Sequence, residues 1–473
     1  MEIEGLVKKL RRKKMLLTLS ALVKEKSFDV WLVGGNIRDT FLGIPSRDYD
    51  ITITGNAHRF SLLLAKKLKG NQFCLDRKLG EFRIMLSRKR TVDVKSIKDI
   101  SKDIKERDFT INSLAFNLKD LKTIYDPLNG FSDLKKRLIR TVSNRVFEDD
   151  PLRLLRIFRF AATLELSISQ ETMELAKKTV KKIDNVASER VRTELFLLFN
   201  SKKSFPYLKK MDSIELLAAL FPEVEKGKCI PQHKYRSRNL KEHSLVCYDI
   251  MEKIIDKKRY FEFEGFTSIF QTFIKKHKVI LKLSALLHDI GKLYTMKEDA
   301  SGSVHFYMHE KRGEIRLKQY YQKRLSLSNK EIEILSLLIL HHMRAHLLSR
   351  VEEITNHALY RFIKSGKDAI PGILLLSYAD SISSTGGGKE VRKAEKTIRT
   401  ILDYYVISKR VKAKRRLITG YDLIEKFGLR PAPVFKAILE TVEKAHINGK
   451  IKNRKQALNL VEKILVMEKL ITK

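Results

Sequence analysis

Apolar and polar positions follow two different rhythms along this chain. In the first third, Asp29–Val33, Tyr49–Thr54, Glu81–Ser87 and Thr91–Ile97 alternate with the two-residue period of half-buried strands, and His58–Gly70 between them has helical spacing. From about Glu148 onward the helical period takes over, as in 148–166, 188–199, 281–292 and 329–343, and the chain holds only nine prolines. The pattern predicts an α/β or α+β domain followed by all-α regions. Breaks at Ser201–Pro206, Ile230–Asn239, the glycine run Ser383–Gly388 and the basic run Lys409–Arg416 suggest further boundaries. The expected divisions are 1–145, 146–225, 226–400 and 401–473.

Composition narrows the partner. Lys and Arg total 95 against 56 acidic residues, a net charge of +39, which points first to nucleic acid and second to an anionic membrane. No apolar run approaches a bilayer span, so no membrane is expected. The basic stretch before Met15-Leu16-Leu17 imitates a signal peptide, but its apolar run stops at Lys24-Glu25-Lys26 without a small-residue cleavage site. An amphipathic helix packed on the first strand is the expectation instead. Cys74, Cys229 and Cys247 lie far apart, without zinc spacing, and read as reduced thiols of a cytoplasmic protein.

Candidate chemistry concentrates in residues 33–55, where Gly34-Gly35 and Arg38-Asp39 precede Asp48 and Asp50. Side chains on alternate strand positions share one face, so the two carboxylates sit together and repel unless a cation lies between them. All-oxygen ligands suit Mg²⁺ shared with substrate phosphates, and glycines let the backbone approach a phosphate closely. Asp93, in another strand pattern, either completes a three-carboxylate site or faces solvent.

These residues bring a resemblance with them. The run 33–55 resembles the first motif of the class II tRNA nucleotidyltransferase and bacterial poly(A) polymerase family. Residues 106–116 (ERDFTINSLAF) resemble its ribose motif, 126–140 the motif joining head and neck, 148–160 the base-reading motif and 188–195 the last neck motif. The resemblance implies an α+β, polymerase-β-like head with a mixed sheet, then helical neck, HD and tail regions. It further implies two Mg²⁺ ions on Asp48 and Asp50, a triphosphate held by Gly34, Gly35 and Arg38, and a sugar contacted by Arg107, Asp108 and Asn112. Alone, Arg107-Asp108 reads as a surface ion pair.

Asp150 and Arg153 stand three apart in a predicted helix and are therefore expected on one face, an acceptor beside a rigid fork of donors. By resemblance they read the base edge, with help from Arg156; without it they are an exposed helical ion pair. Arg159 is expected to turn away from Asp150, toward solvent, RNA or a neighbouring helix. The glutamate usual in this motif is replaced by Asp149. Farther on, His243, His288, Asp289 and Asp380 resemble the metal ligands of the HD phosphohydrolase superfamily, and His309, His341 and His342 fall where some members hold a second metal. Imidazole plus carboxylate suits Mn²⁺, Fe²⁺, Ni²⁺ or Zn²⁺. A retained but inactive HD body is the alternative. Residues 417–458 resemble the C-terminal segment of CCA-adding enzymes, with Pro431-Ala432-Pro433 for the usual Pro-Gly-Pro. Lys412, Lys414, Arg415 and Arg416 before it are candidates for RNA phosphates or a solvated charge run.

The expected function is CCA addition to the tRNA 3′ end from CTP and ATP. CC-only addition, A-only addition and poly(A) synthesis stay open, with residues 74–84 in the region that influences the choice. Two rivals of other classes are an HD metal phosphohydrolase with a nucleotide-binding head, and a non-catalytic RNA-binding protein.

Overall fold

The computed structural model describes residues 2–26, 28–46, 48–87, 90–232, 239–256, 263–413 and 416–467. Seven strands form one sheet: β1 (Asp29–Val33), β2 (Asp48–Thr54), β3 (Asn71–Asp76), β4 (Glu81–Leu86), β5 (Arg90–Ile97), β6 (Ala115–Asn117) and β7 (Ile124–Tyr125). Their order is β3-β4-β5-β2-β1-β6-β7. The β2–β5 pair is parallel and the other pairs are antiparallel, so the sheet is mixed. Alternation decides its two faces. Tyr49, Ile51, Ile53, Phe82, Ile84, Val92 and Val94 are buried on one, where the helix Ala57–Leu68 packs. Asp48, Asp50 and Asp93 therefore stand on the other, with Asp50 opposite Asp93 in register.

Two helices precede the sheet, Ile3–Arg11 and Lys14–Lys26. The first buries Leu6 and Leu10 and packs on the helix Gly35–Leu42, and the second, over the apolar run, buries Leu16, Leu19, Leu22 and Val23. Between them Lys13 Nζ donates to Asn36 Oδ1 at 2.7 Å and Thr40 Oγ1 at 2.5 Å, fixing the segment that follows the glycine pair.

The helical neck begins differently from its sequence pattern. Asp150 is extended (φ −147°, ψ 100°), and the helix runs from Arg153 to Leu164. The expectation that Asp150 and Arg153 share a helix face is thus corrected: Pro151 clashes with a helical predecessor and pushes residue 150 into the extended region. The chain divides into two compact units, Met1–Pro222 and Glu223–Lys473. In the second, Leu240–Ile255, Thr267–Leu287, Asn329–Leu348 and Ile370–Thr385 pack as a helical body. Ile418, Leu423, Ile438, Val442, Val461 and Leu465 form a separate apolar cluster toward the C-terminus. The expected 400/401 division falls inside the continuous helix Lys389–Ala413. No helix among the described residues is long and apolar enough to cross a membrane. Cys74 and Cys229 are exposed and Cys247 is buried, all three as free thiols.

Candidate functional site

The turn after β1 builds the first site. Gly34 has φ +73° and caps the helix Gly35–Leu42. A Cβ there would press to 3.1 Å from both Arg107 Nη1 and Asp50 Oδ2, and the positive φ would strain any residue that carries one, so glycine suits the backbone between these opposite charges. Asp50 is largely buried. Burial lifts its carboxyl above the usual range, Arg107 opposes this, and Asp93 and Asp48 add to it. Asp48 is exposed and accepts from Thr91 Oγ1 at 2.8 Å. The oxygens of Asp93 take Nε and Nη2 of Arg83, both at 2.7 Å. The donor set offered by Asp48 and Asp50 is all carboxylate oxygen, which fits a hard cation such as Mg²⁺.

A cavity of about 400 Å³ opens beside Asp50. Its walls include Gly34, Gly35 and Arg38 from the turn and helix, Arg107, Asp108 and Asn112 from the next motif, and Asp150, Arg153 and Arg156 from the neck. Asp48 and Asp93 are not among its lining residues. One string of bonds crosses it. Arg38 Nη1 donates to Asn112 Oδ1 at 2.5 Å, Asn112 Nδ2 donates to Asp108 Oδ1 at 2.9 Å, and Arg156 Nη2 meets Asp108 Oδ2 at 2.8 Å. Arg107 pairs instead with Asp103, at 2.8 Å, so Arg107 and Asp108 are not a surface ion pair with each other. Asp150 is held by Arg190 Nη2 at 2.9 Å, and Arg153 donates to the carbonyls of Glu106 and Val146. Arg159 faces the neighbouring helix and pairs with Glu194. Lys95, Asp103 and Phe160 also line the cavity. Nothing in their local sequence distinguished them, and Lys95 became assignable only through its parity with Asp93 on β5.

The second site is sealed within the helical body. His243, His288 and Asp380 converge, as do His288, Asp289 and His342. His243 Nε2 lies 3.2 Å from His288 Nε2 and 3.2 Å from Asp380 Oδ1. Asp289 Oδ2 faces His288 at 3.3 Å and Lys292 at 2.6 Å, while Oδ1 faces His309 at 3.2 Å and His342 at 3.6 Å. The histidine tautomers are set by the backbone. Nδ1 of His288, His309 and His342 meets the carbonyl three residues back, at 3.0, 2.9 and 2.7 Å. Each Nδ1 therefore donates to its carbonyl, which leaves each Nε2 facing the cluster. Imidazole nitrogens and carboxylate oxygens converging within one buried cluster are a donor set that fits a metal.

Burial would raise Asp289, but Lys292 and His288 hold it well below the usual carboxylate range. Asp380 is likewise low: hydrogen bonds from His243 and His346 outweigh its burial. His341 stands apart from both metal-capable groups, and burial and Arg344 pull it down to about 4. His346 went unnoticed in the sequence, yet its Nε2 is 3.0 Å from Asp380 Oδ2; its position four residues after His342, on the same helix face, was the available signal. Of the basic run before the tail, Lys414 and Arg415 lie outside the described residues, as does the Lys412 side chain, and Arg416 is exposed.

Comparison with known proteins agrees with this layout. The poly A polymerase head domain profile matches residues 30–140, the probable RNA and SrmB-binding site of polymerase A matches 165–227, the HD domain matches 240–385 and tRNA nucleotidyltransferase domain 2 matches 376–461. An A-adding tRNA nucleotidyltransferase of Deinococcus radiodurans is 25% identical over 439 residues, spanning 91% of this chain and 94% of that protein. A CC-adding tRNA nucleotidyltransferase of Geobacter sulfurreducens is 34% identical over 206 residues, 43% of this chain and 48% of the relative. The fold matches a Thermotoga maritima CCA-adding enzyme complexed with tRNA, with a TM-score of 0.68 at 21% identity over 98% of this chain and 99% of that one. The chain belongs to the class II tRNA nucleotidyltransferase and CCA-adding enzyme family that carries an HD domain.

Proposed function

We propose that this chain adds C, C and A to the tRNA 3′ end from CTP and ATP without a nucleic-acid template. The carrying observation is the string Arg38–Asn112–Asp108–Arg156, which ties the phosphate side of the cavity to its neck side. On this reading Gly34 and Gly35 bring backbone N–H groups and a helix N-terminus to the triphosphate, with Arg38 and Arg107 as countercharges. Asp108 and Asn112 orient the sugar. Asp150 and Arg153 present one acceptor group and one donor fork to the base. Asp48 and Asp50 would hold two Mg²⁺ ions, which lower the pKa of the RNA 3′-hydroxyl and stabilise departing pyrophosphate. The protein's part is alignment and charge neutralisation.

The named relatives include A-adding, CC-adding and CCA-adding enzymes, so product length decides the subclass. The test is incorporation of CTP and ATP, separately and together, into tRNA lacking its last three, two or one nucleotides. Three-nucleotide products are expected. Single-A, CC-only or long poly(A) products would reassign the subclass, and no incorporation with Mg²⁺ would overturn the transferase reading.

A second reading concerns the HD cluster, favoured by the three backbone-fixed tautomers. His243, His288, Asp289 and Asp380 would hold one transition metal such as Mn²⁺ or Ni²⁺, with Asp289 shared toward His309 and His342. A metal bound there supplies an activated water for phosphoester hydrolysis. Metal analysis of the purified protein and hydrolysis of a chromogenic phosphodiester test it; a metal-free protein inert after metal addition refutes it.

A further inference from the structure

The face bearing Asp48 and Asp50 does not end at the carboxylates. Following the register outward, Asp50 stands opposite Asp93, Asp93 opposite Arg83, and Arg83 opposite Phe73 on the edge strand β3. The neighbouring row runs Asp48, Thr91, Met85, Asn71. Burial fixes which way these side chains point. Phe82, Ile84, Val92 and Val94 fill the opposite face, and Gln72 reaches Ser61 on the helix Ala57–Leu68 that covers it. Phe73, Arg83 and Met85 therefore share the open face with the aspartates.

Phe73 is 49% and Met85 50% exposed, and Leu75, at the irregularity in the β3–β4 pairing, is 49% exposed. An aromatic side chain and two large apolar ones left open on a sheet face form a surface that awaits a partner. The rim is basic: Arg77 and Lys78 lie in the β3–β4 turn and Arg90 opens β5, all exposed. Arg83 also neutralises Asp93, removing one negative charge between Phe73 and Asp50.

The nucleotide cavity lies toward β1, where Gly34 and Gly35 follow that strand. The apolar row leaves Asp50 in the other direction, toward the β3 edge. Phosphoryl transfer needs the attacking and leaving oxygens roughly in line. With the triphosphate on the β1 side, the attacking hydroxyl must come to Asp50 from the β5 side. Three strand spacings of about 4.8 Å put Phe73 about 14 Å from Asp50, within reach of the nucleotides just before that hydroxyl.

We propose that the open sheet face at Phe73 and Met85, reached from Asp50 through Asp93 and Arg83, seats the last nucleotides of the RNA being extended. Phe73 stacks on a base, Met85 and Leu75 supply the apolar floor, and the basic rim meets the phosphates. Stacking of this kind is tolerant of sequence, as a platform needs to be when each addition changes the terminal base. The inference deepens the transferase reading and rests on it.

The test uses the full chain and tRNA with 2-aminopurine next to its 3′-terminal nucleotide. Phe73→Ala is expected to raise the KM for RNA about tenfold, while the KM values for CTP and ATP change less than about twofold. Fluorescence quenching on binding should fall, and Phe73→Trp should restore both readouts. Phe73 is exposed, so the variant keeps the fold, and Phe73→Ala/Met85→Ala deepens the defect. If wild type extends the RNA while both variants retain its KM and quenching, the platform is overturned and the transferase reading stands. If wild type extends nothing, the transferase reading falls. The quenching then decides whether the face binds RNA ends at all.

Discussion

The two metal-capable sites handle the same problem, converging negative charge, with opposite architectures. In the head the carboxylates share one side of a single strand, and Asp48 stays exposed. In the helical body imidazoles and carboxylates from separate helices meet in a buried centre, and three rings are pinned by carbonyls three residues back. An open all-oxygen site suits a cation that arrives with a nucleotide and leaves with pyrophosphate. A closed, pre-oriented nitrogen-and-oxygen site suits a metal that stays. The difference teaches that the mounting of the ligands, as much as their identity, would set how readily a bound cation exchanges.

The sharpest way to break this comparison is Asp50→Ala. Nucleotide incorporation should fall by on the order of a thousandfold, while metal bound in the HD cluster, read by elemental analysis, stays at the wild-type level. The converse pair, His288→Ala with Asp289→Ala, should abolish that bound metal and any phosphodiester hydrolysis and leave incorporation unchanged. A loss of incorporation there would show that the sites are coupled. Gly34→Ala should lower kcat by about a hundredfold through displacement of Asp50 and Arg107, with the circular dichroism spectrum unaltered. Chelation refines the contrast: brief EDTA treatment should stop incorporation reversibly, whereas loss of HD-bound metal should need hours, followed by elemental analysis.

The smallest effect concerns the scaffold of the second site. Lys282 is fully buried and paired with Glu252; burial pulls its ammonium down to about 8 despite that partner. Unfolded, it titrates near 10.5. Between those values the unfolded chain binds more protons, so this group's contribution to stability rises with pH and is lost as pH falls through about 8. Thermal unfolding from pH 7.5 to 10.5 should show a slope in the wild type, on the order of 3 kcal/mol in all, that is flatter in Lys282→Met. At neutral pH that variant should be less stable by about 3 kcal/mol, because Glu252 is left buried without this ammonium.

Legibility followed local physics. Strands β1, β2, β4 and β5 alternate, so their positions and the shared face of Asp48 and Asp50 could be read directly. Strand β3 could not, because at this sheet edge Phe73, Cys74 and Leu75 are all exposed and the two-residue rhythm is lost. Asp150 was misplaced because the helical period of 148–166 masked the Pro151 signal. The residues lining the cavity beside Asp50 came from motif resemblance, and their string of bonds only from tertiary structure. His341 and His342 differ by one helical step, and only packing shows that His342 faces the cluster and His341 does not.

Strand β2 carries one more consequence, for insertions and deletions. Its alternation assigns odd and even positions to opposite sides of the sheet. Losing one residue before Asp48 with the strand sliding by one position against β1 and β5 would turn Tyr49 and Ile51 outward and drive both aspartates into the apolar layer. Losing two would keep the parity. The segment leading into β2 should therefore tolerate length changes that its loop absorbs and reject single ones that slide the strand, a rule about counting that no side-chain substitution would reveal.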